Sequence, residues 1–345
     1  MRAAVIHAPH DLRVEDTPEQ PLGADGVRLR VDAGGICGSD LHYYHHGGFG
    51  TVRIQEPMIL GHEIAGTVVA CGTAVTAVRP GDKIAVNPSL PCGICRYCLD
   101  GRSNQCLDMR FYGSAMRMPH VQGGFREELV CAQSQAVKLP ADVAITEAAF
   151  AEPLSVCLHA AAQAGPLLGR RVLVTGTGPI GALLIMVARQ AGAREIVATD
   201  LLDPPLAMAR RIGADRTINT RSEPGGLDAY GADKGTFDVV FEASGAPPAL
   251  AAAIAAARPG ATIVQVGIGA NAMPPVPLNT LVAKEINLRG TFRFHEEFAW
   301  AVDFITSRRI DVRPLLTEIV PLADAVRGFD LASDRSRAMK VLLAF

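Results

Sequence analysis

From Arg171 to Gly181 the chain reads RVLVTGTGPIG, an apolar run that breaks on Gly176, Gly178 and Gly181 and then turns helical. Glycines spaced G-x-G-x-x-G between a strand and a helix let the backbone approach a pyrophosphate, which rests on the helix N-terminus beside Ile180. EIVATD reads as the next strand and ends on Asp200, at the distance where a carboxylate meets an adenosine ribose. The negative charge of Asp200 opposes a 2′-phosphate, and LLDPP after it supplies no Arg, so this reading favours NAD+ over NADP+.

The alternation continues on both sides of this turn. PLSVCLHAAAQAG reads as a helix, PPLAMARRIG as another, FDVVFEAS as a strand, PPALAAAIAAARPG as a helix and ATIVQVGIG as a strand. Strands alternating with helices of this length predict a doubly wound parallel sheet. The residues before Glu152 differ: RAAVIHA, GVRLRVDAGGI, GHEIAGTVVACGTAV and GDKIAVNP are short apolar runs broken by Gly, Pro and Asp, which predicts a β-rich unit. After about residue 295 come one helix, EEFAWAVDFITSRRI, and a closing strand, MKVLLAF. The expected division is 1–151 β-rich, 152–293 doubly wound, and 294–345 a return segment that completes the first unit. The fold class expected is therefore α/β, with 345 residues enough for two domains.

Lys and Arg number 33 against 35 Asp and Glu, which argues against binding nucleic acid by phosphate neutralisation. The longest apolar stretches, ALLIMVA and ALAAAIAAA, fall short of a membrane span, and the first residues carry no long apolar core of a signal peptide. A cytoplasmic protein with reduced thiols is expected, so the cysteines pose a question of metal or catalysis.

Cys92, Cys95, Cys98 and Cys106 follow C-x2-C-x2-C-x7-C, with Gly93 and Gly101 allowing tight turns between them. Four thiolates so close fit a closed tetrahedral zinc site, a structural one. An iron–sulfur cluster uses the same donors but not this spacing. Cys37 lies in GGICGSDLHYY, and His62 and Glu63 lie in LGHEIAG. A thiolate, an imidazole and a carboxylate make a mixed zinc shell with one position open to water or substrate. Taken singly, each has a plain alternative as a buried thiol or a core histidine. Glu152, in FAEPLSV, could be a fourth ligand, a carboxylate holding the zinc water, or simply an acid at a helix start. Ser39 and His42 follow Cys37 at a spacing that suits a hydroxyl-to-imidazole proton relay.

GGICGSDLHYY, LGHEIAG, the Cys quartet, FAEPLSV, GTGPIG and GTFRF stand in the order of the zinc-dependent medium-chain alcohol/polyol dehydrogenases, which the chain resembles over essentially its whole length. The resemblance implies a GroES-like β domain carrying two zincs per subunit, Cys37, His62 and either Glu63 or Glu152 on the catalytic one, and a Rossmann domain. It also implies Val266, Gly267, Ile268, Phe292 and Arg293 on the cofactor side, and Tyr43 facing substrate. The family often has a basic residue shortly after the ribose acid, where this chain has Pro204 and Pro205. NPSLPCGICRYC, NQCLDMRFYGSAM and PHVQGGF resemble the sugar-acid branch of that family, which implies oxidation of L-idonate at C5 to 5-ketogluconate. A carboxylate substrate calls for a cation: Arg293, Arg110 or Arg117, with His120 as a further donor. The alternatives are a sorbitol- or xylitol-type polyol dehydrogenase, a threonine dehydrogenase, a zinc-free quinone reductase, or a zinc- and nucleotide-binding protein without catalysis. A homodimer or homotetramer is expected, in contact near AMPPVPLNTLVAKEI, because an open sheet edge needs cover.

Overall fold

The computed structural model describes residues 1–269 and 275–345. Two compact units emerge. One comprises Met1–Pro153, His295–Asp334 and Lys340–Phe345, and the other Leu154–Phe294 with Arg335–Met339.

The first unit is built on a seven-stranded sheet. Its path runs Ala136–Lys138, Lys83–Val86, Glu63–Cys71, Gly26–Gly35, Lys340–Ala344 and Leu316–Pro321, and Glu128–Ala132 also pairs with Gly26–Gly35. The central strand Gly26–Gly35 alternates buried and half-exposed residues, as a strand with one covered face must. The closing strand pairs antiparallel to it through Leu342 and Leu343, which lays the chain's last residues against Gly34 and Gly35. A nine-residue helix, Gly38–His46, leaves directly from this strand. Its hydrophobic patterning is weak, so no helix is legible there from the residues alone. What starts it is Asp40, whose carboxylate accepts the Cys37 N–H at 3.0 Å in the manner of a capping box. A second helix not foreseen in the tail, Ala325–Ser333, precedes the last strand.

The second unit is a six-stranded sheet in which every pairing is parallel. Numbered within the unit, the strands run 3-2-1-4-5-6, the doubly wound dinucleotide-binding order. Arg171–Thr175 is the first strand, and Phe237–Glu242, beside it, is the fourth. Chain order reverses between them, and that reversal opens a crevice at the carboxyl ends of the strands. The alanine-rich helix ends at Ala256, earlier than its composition suggests, because Ala257–Gln265 is already strand. Among the described residues, no helix is long and apolar enough to cross a membrane.

Candidate functional site

In the first unit the strand end and the new helix bring three donors together. Cys37 sits at the helix start, and His62 and Glu63 sit where the strand Glu63–Cys71 begins. Donor atoms of Cys37, His62 and Glu63 all lie within 4.8 Å of one another, with His62 and Glu63 buried. Asp40 ties the two segments. One carboxylate oxygen takes the Cys37 N–H, and the other takes the Gly61 N–H at 3.2 Å and stands 3.7 Å from His62 Nδ1. Asp40 is fully buried and is a positioning residue that sequence reading missed; the three-residue spacing from Cys37 was its signal.

Glu63 has a partner from the far end of the chain. Lys340, 3% exposed, donates to Glu63 Oε1 at 2.6 Å and to the Ile36 carbonyl at 2.9 Å. Burial alone would push Lys340 down, but the Glu63 carboxylate beside it holds it raised. Burial and then the charge of Glu63 push the Cys37 thiol up to about 12. Burial pushes the Glu152 carboxyl up to about 8, against the opposing pull of His62. A thiol, an imidazole with an unbonded buried nitrogen and a carboxylate converging in a buried space fit a divalent cation.

The quartet fits zinc more closely. Cys95 Sγ lies 3.6 Å from Cys98 Sγ and 4.0 Å from Cys106 Sγ. A tetrahedral shell with Zn–S bonds of about 2.3 Å places its sulfurs about 3.8 Å apart. Backbone N–H groups of Cys92 and Asp108 point at Cys106 Sγ at 3.2 and 3.3 Å. Hydrogen bonds from the Leu107 and Cys98 backbone hold Cys95 down at about 6. Gly93 and Gly101 have φ of 75° and 74°, so the turns between ligands do require glycine.

The remaining expected residues separate into those near this centre and those placed elsewhere. Ser39 and His42 stand on one face of the helix Gly38–His46, three residues apart and half-buried. Burial, then His46 and His45, hold His42 below the usual histidine range, so it is neutral at pH 7. Tyr43 is 2% exposed, and its hydroxyl accepts the Ala115 N–H at 3.0 Å, a contact that braces the helix. Arg110 is exposed, while Arg117 is paired with Asp108. His120 corrects the expectation of a free donor. Its Nε2 accepts the Gln55 N–H at 2.9 Å, which leaves the proton on Nδ1, 2.7 Å from the Arg117 carbonyl.

In the second unit Gly176, Gly178 and Gly181 form the turn into the helix Pro179–Gln190. A Cβ on Gly181 would stand 1.8 Å from the Gly176 carbonyl oxygen, and one on Gly176 would stand 2.8 Å from the Ser244 nitrogen. Those contacts press the turn against the neighbouring strand end. Ile180 opens the helix, and its carbonyl faces Cys157 Sγ at 3.5 Å. The Val266 and Gly267 N–H groups both donate to the Glu242 carbonyl at 2.8 Å, and Ile268 beyond them is 60% exposed. Glu242, fully buried, gathers Thr175, Ser244, Gly245 and Gln265 around its carboxylate and so fixes the strand ends at the crevice. Phe292 is 37% exposed, and the Arg293 guanidinium lies over its ring at 4.9 Å. Asp200 ends its strand beneath the glycine turn, where its carboxylate accepts the Thr177 N–H at 2.8 Å.

Comparison with known proteins agrees with both units. Residues 23–141 match the alcohol dehydrogenase GroES-like domain, and residues 179–307 match the zinc-binding dehydrogenase domain. The chain is 43% identical over 321 residues to L-idonate 5-dehydrogenase (NAD(P)(+)) of Escherichia coli K12, covering 93% of this chain and 92% of that one. It is 36% identical to sorbitol dehydrogenase of Gallus gallus over 344 residues, covering 99% and 95%. The crystal structure of the Escherichia coli L-idonate 5-dehydrogenase superposes with a TM-score of 0.95 at 41% identity, covering 100% of this chain and 98% of that one. A buried thiol–imidazole–carboxylate cluster, a four-thiol cage and a doubly wound sheet with its glycine turn thus occur in one chain together with this similarity, and the chain belongs to the zinc-dependent, NAD(P)-linked alcohol dehydrogenase family.

Proposed function

We propose that the protein oxidises L-idonate at C5 to 5-ketogluconate, reversibly, with NAD+ and two zinc ions per chain. The observation that carries the chemistry is the convergence of Cys37, His62 and Glu63 within 4.8 Å in a buried space. The similarity to L-idonate 5-dehydrogenase supports the substrate. Zinc supplies a Lewis acid for the alcohol oxygen, and the nicotinamide supplies the hydride acceptor.

The protein's own groups do the rest. Cys37, His62 and Glu63 would hold the catalytic metal; Glu152, buried and under the influence of the His62 charge, is the further carboxylate assigned to ligate it or to hold its water. Cys92, Cys95, Cys98 and Cys106 hold the structural one. Asp40 ties together the backbone segments that carry Cys37 and His62, through the Cys37 and Gly61 N–H groups. Neutral His42 can accept the proton released by the alcohol through Ser39 and pass it to solvent. Gly176, Gly178, Ile180 and Gly181 would receive the pyrophosphate, and Val266, Gly267 and Ile268 would face the nicotinamide. Arg110, exposed and without an ion pair among the described residues, and Arg293 are the cations offered to the substrate carboxylate. Tyr43 braces the helix that carries the relay.

Initial rates with L-idonate, sorbitol, xylitol and L-threonine test the assignment. L-Idonate is expected to give a kcat/KM at least about tenfold above the neutral polyols, the effect of one charge-assisted pair on the carboxylate. A faster reaction with sorbitol or xylitol would reassign the protein to the polyol branch, and no turnover of any of the four would favour the non-catalytic reading.

The expected subunit contact, AMPPVPLNTLVAKEI, lies partly outside the described residues, at Ala272–Pro274. In its described part Leu278 and Val282 are 61% and 66% exposed, and the adjoining edge strand Asn287–Gly290 is exposed throughout. An apolar patch beside an open edge supports a homodimer or homotetramer. Light scattering after gel filtration should give at least twice the 36.4 kDa chain mass; a 36.4 kDa species would remove the proposal.

A further inference from the structure

Asp200 is the residue that should receive the adenosine ribose, yet its carboxylate is already fully engaged. Oδ1 accepts the Leu201 N–H at 2.7 Å and the Leu202 N–H at 3.2 Å. Oδ2 accepts the Thr177 N–H at 2.8 Å, the Thr177 hydroxyl at 3.2 Å and Arg335 Nη2 at 2.5 Å. A carboxylate has about four lone-pair sites, so these donors leave no capacity for a ribose hydroxyl. Asp200 is 5% exposed and held by its own turn. The Thr177, Leu201 and Leu202 donors are local and fixed by the strand end. Arg335 is different: it comes from a segment 135 residues away, and its side chain is 46% exposed. Unlike the Thr177, Leu201 and Leu202 donors, it reaches Asp200 from outside the strand end and can swing away into solvent.

Its position adds a second observation. Arg335 Nε and Nη2 stand 3.7 and 3.9 Å from where a Cβ on Gly178 would be, so the guanidinium lies over the glycine turn at the start of the helix Pro179–Gln190. Arg335 therefore lies on the phosphate-binding face of the turn and on the ribose acid at once. It also offsets the Asp200 charge that was expected to repel a 2′-phosphate. The residues that directly follow Asp200 in the chain supply no cation; this one arrives from the chain's far end.

We infer that Arg335 sets cofactor choice: a ribose diol must displace it from Asp200 and offers no anion at the 2′ position in return, whereas a 2′-phosphate takes it there as a bidentate partner, so the site accepts NADP+ as well as NAD+. A guanidinium moving from one anion to another keeps its charge paired, and its planar fork suits phosphate. The inference rests on the reading of the glycine turn as a nucleotide site.

Calorimetric titration of the zinc-loaded protein with 2′,5′-ADP and with 5′-AMP separates the two ideas. The unmodified protein should bind 2′,5′-ADP at least as tightly as 5′-AMP. Arg335→Ala should weaken 2′,5′-ADP by about tenfold or more relative to 5′-AMP, the loss of one charged hydrogen-bonded contact to the 2′-phosphate. Arg335→Lys should fall between, since it keeps the charge and loses the fork. Arg335 is half-exposed, so a melting curve matching the unmodified protein is expected to confirm that the variants fold. If Arg335→Ala leaves the ratio of the two affinities unchanged, or if the unmodified protein binds 5′-AMP but not 2′,5′-ADP, the inference is overturned and the nucleotide site stands. Binding of neither ligand by the unmodified protein overturns both.

Discussion

Cys37→Ala should lower kcat/KM for the alcohol by about 10³-fold or more, while the protein keeps its fold and one of the two proposed zincs. A Lewis acid at a reacting oxygen is worth several kcal/mol, and each 1.4 kcal/mol is a factor of ten in rate. Losing the thiolate leaves only the imidazole and a carboxylate that Lys340 also claims. The fold should survive because what Asp40 needs at this position is the backbone N–H, which alanine retains. The quartet Cys92, Cys95, Cys98 and Cys106 is a separate group of donors, so its metal should remain. Metal analysis beside initial rates decides the matter. A variant with one zinc and undiminished kcat/KM would show that the Cys37 cluster takes no part in the chemistry.

How much of this was legible in the sequence depends on how far apart the partners lie. The doubly wound unit was readable because buried parallel strands are nearly continuous apolar runs, and the glycine turn announces itself between RVLVT and the helix that follows. The thiol cage was readable because all four ligands fall within fifteen residues, Cys92 to Cys106. The helix Gly38–His46 was not, since it lacks an apolar stripe and stands on a capping contact from Asp40. Lys340 carried a signal that went unused: a lysine inside the apolar run MKVLLAF has to be paired. Its partner Glu63, 277 residues away, could not be named from the sequence. Arg335 carried no signal at all, because its meaning comes only from lying on Asp200. His120 misled in the opposite direction, offering a donor whose ring nitrogens are both engaged once the chain is folded.

Lys340→Met should cost the metal-free protein about 3–5 kcal/mol of stability, the usual result of removing one member of a buried ion pair. The lysine is 3% exposed, and it is charged at neutral pH because the Glu63 carboxylate beside it holds its pKa raised against burial. Methionine fills much of the same volume, so the loss reflects charge rather than a cavity. It would leave the Glu63 carboxylate, fully buried, and the Ile36 carbonyl without their shared donor. Glu63 has little room to turn toward water. It lies so close to Gly35 that a Cβ there would stand 1.9 Å from its Oε2. Two consequences separate this account from a simple packing defect. Adding Glu63→Gln to Lys340→Met should restore part of the stability, because the stranded charge is gone, whereas a packing defect would make the two losses add. Zinc should also narrow the gap between the variant and the unmodified protein, since a cation at Glu63 takes over the lysine's role. Urea denaturation of both proteins, with zinc and with chelator, reads each of these. A Lys340→Met protein within about 0.5 kcal/mol of the original after chelation, the range of an ordinary surface change, would mean that the Glu63–Lys340 pair does not hold the site together.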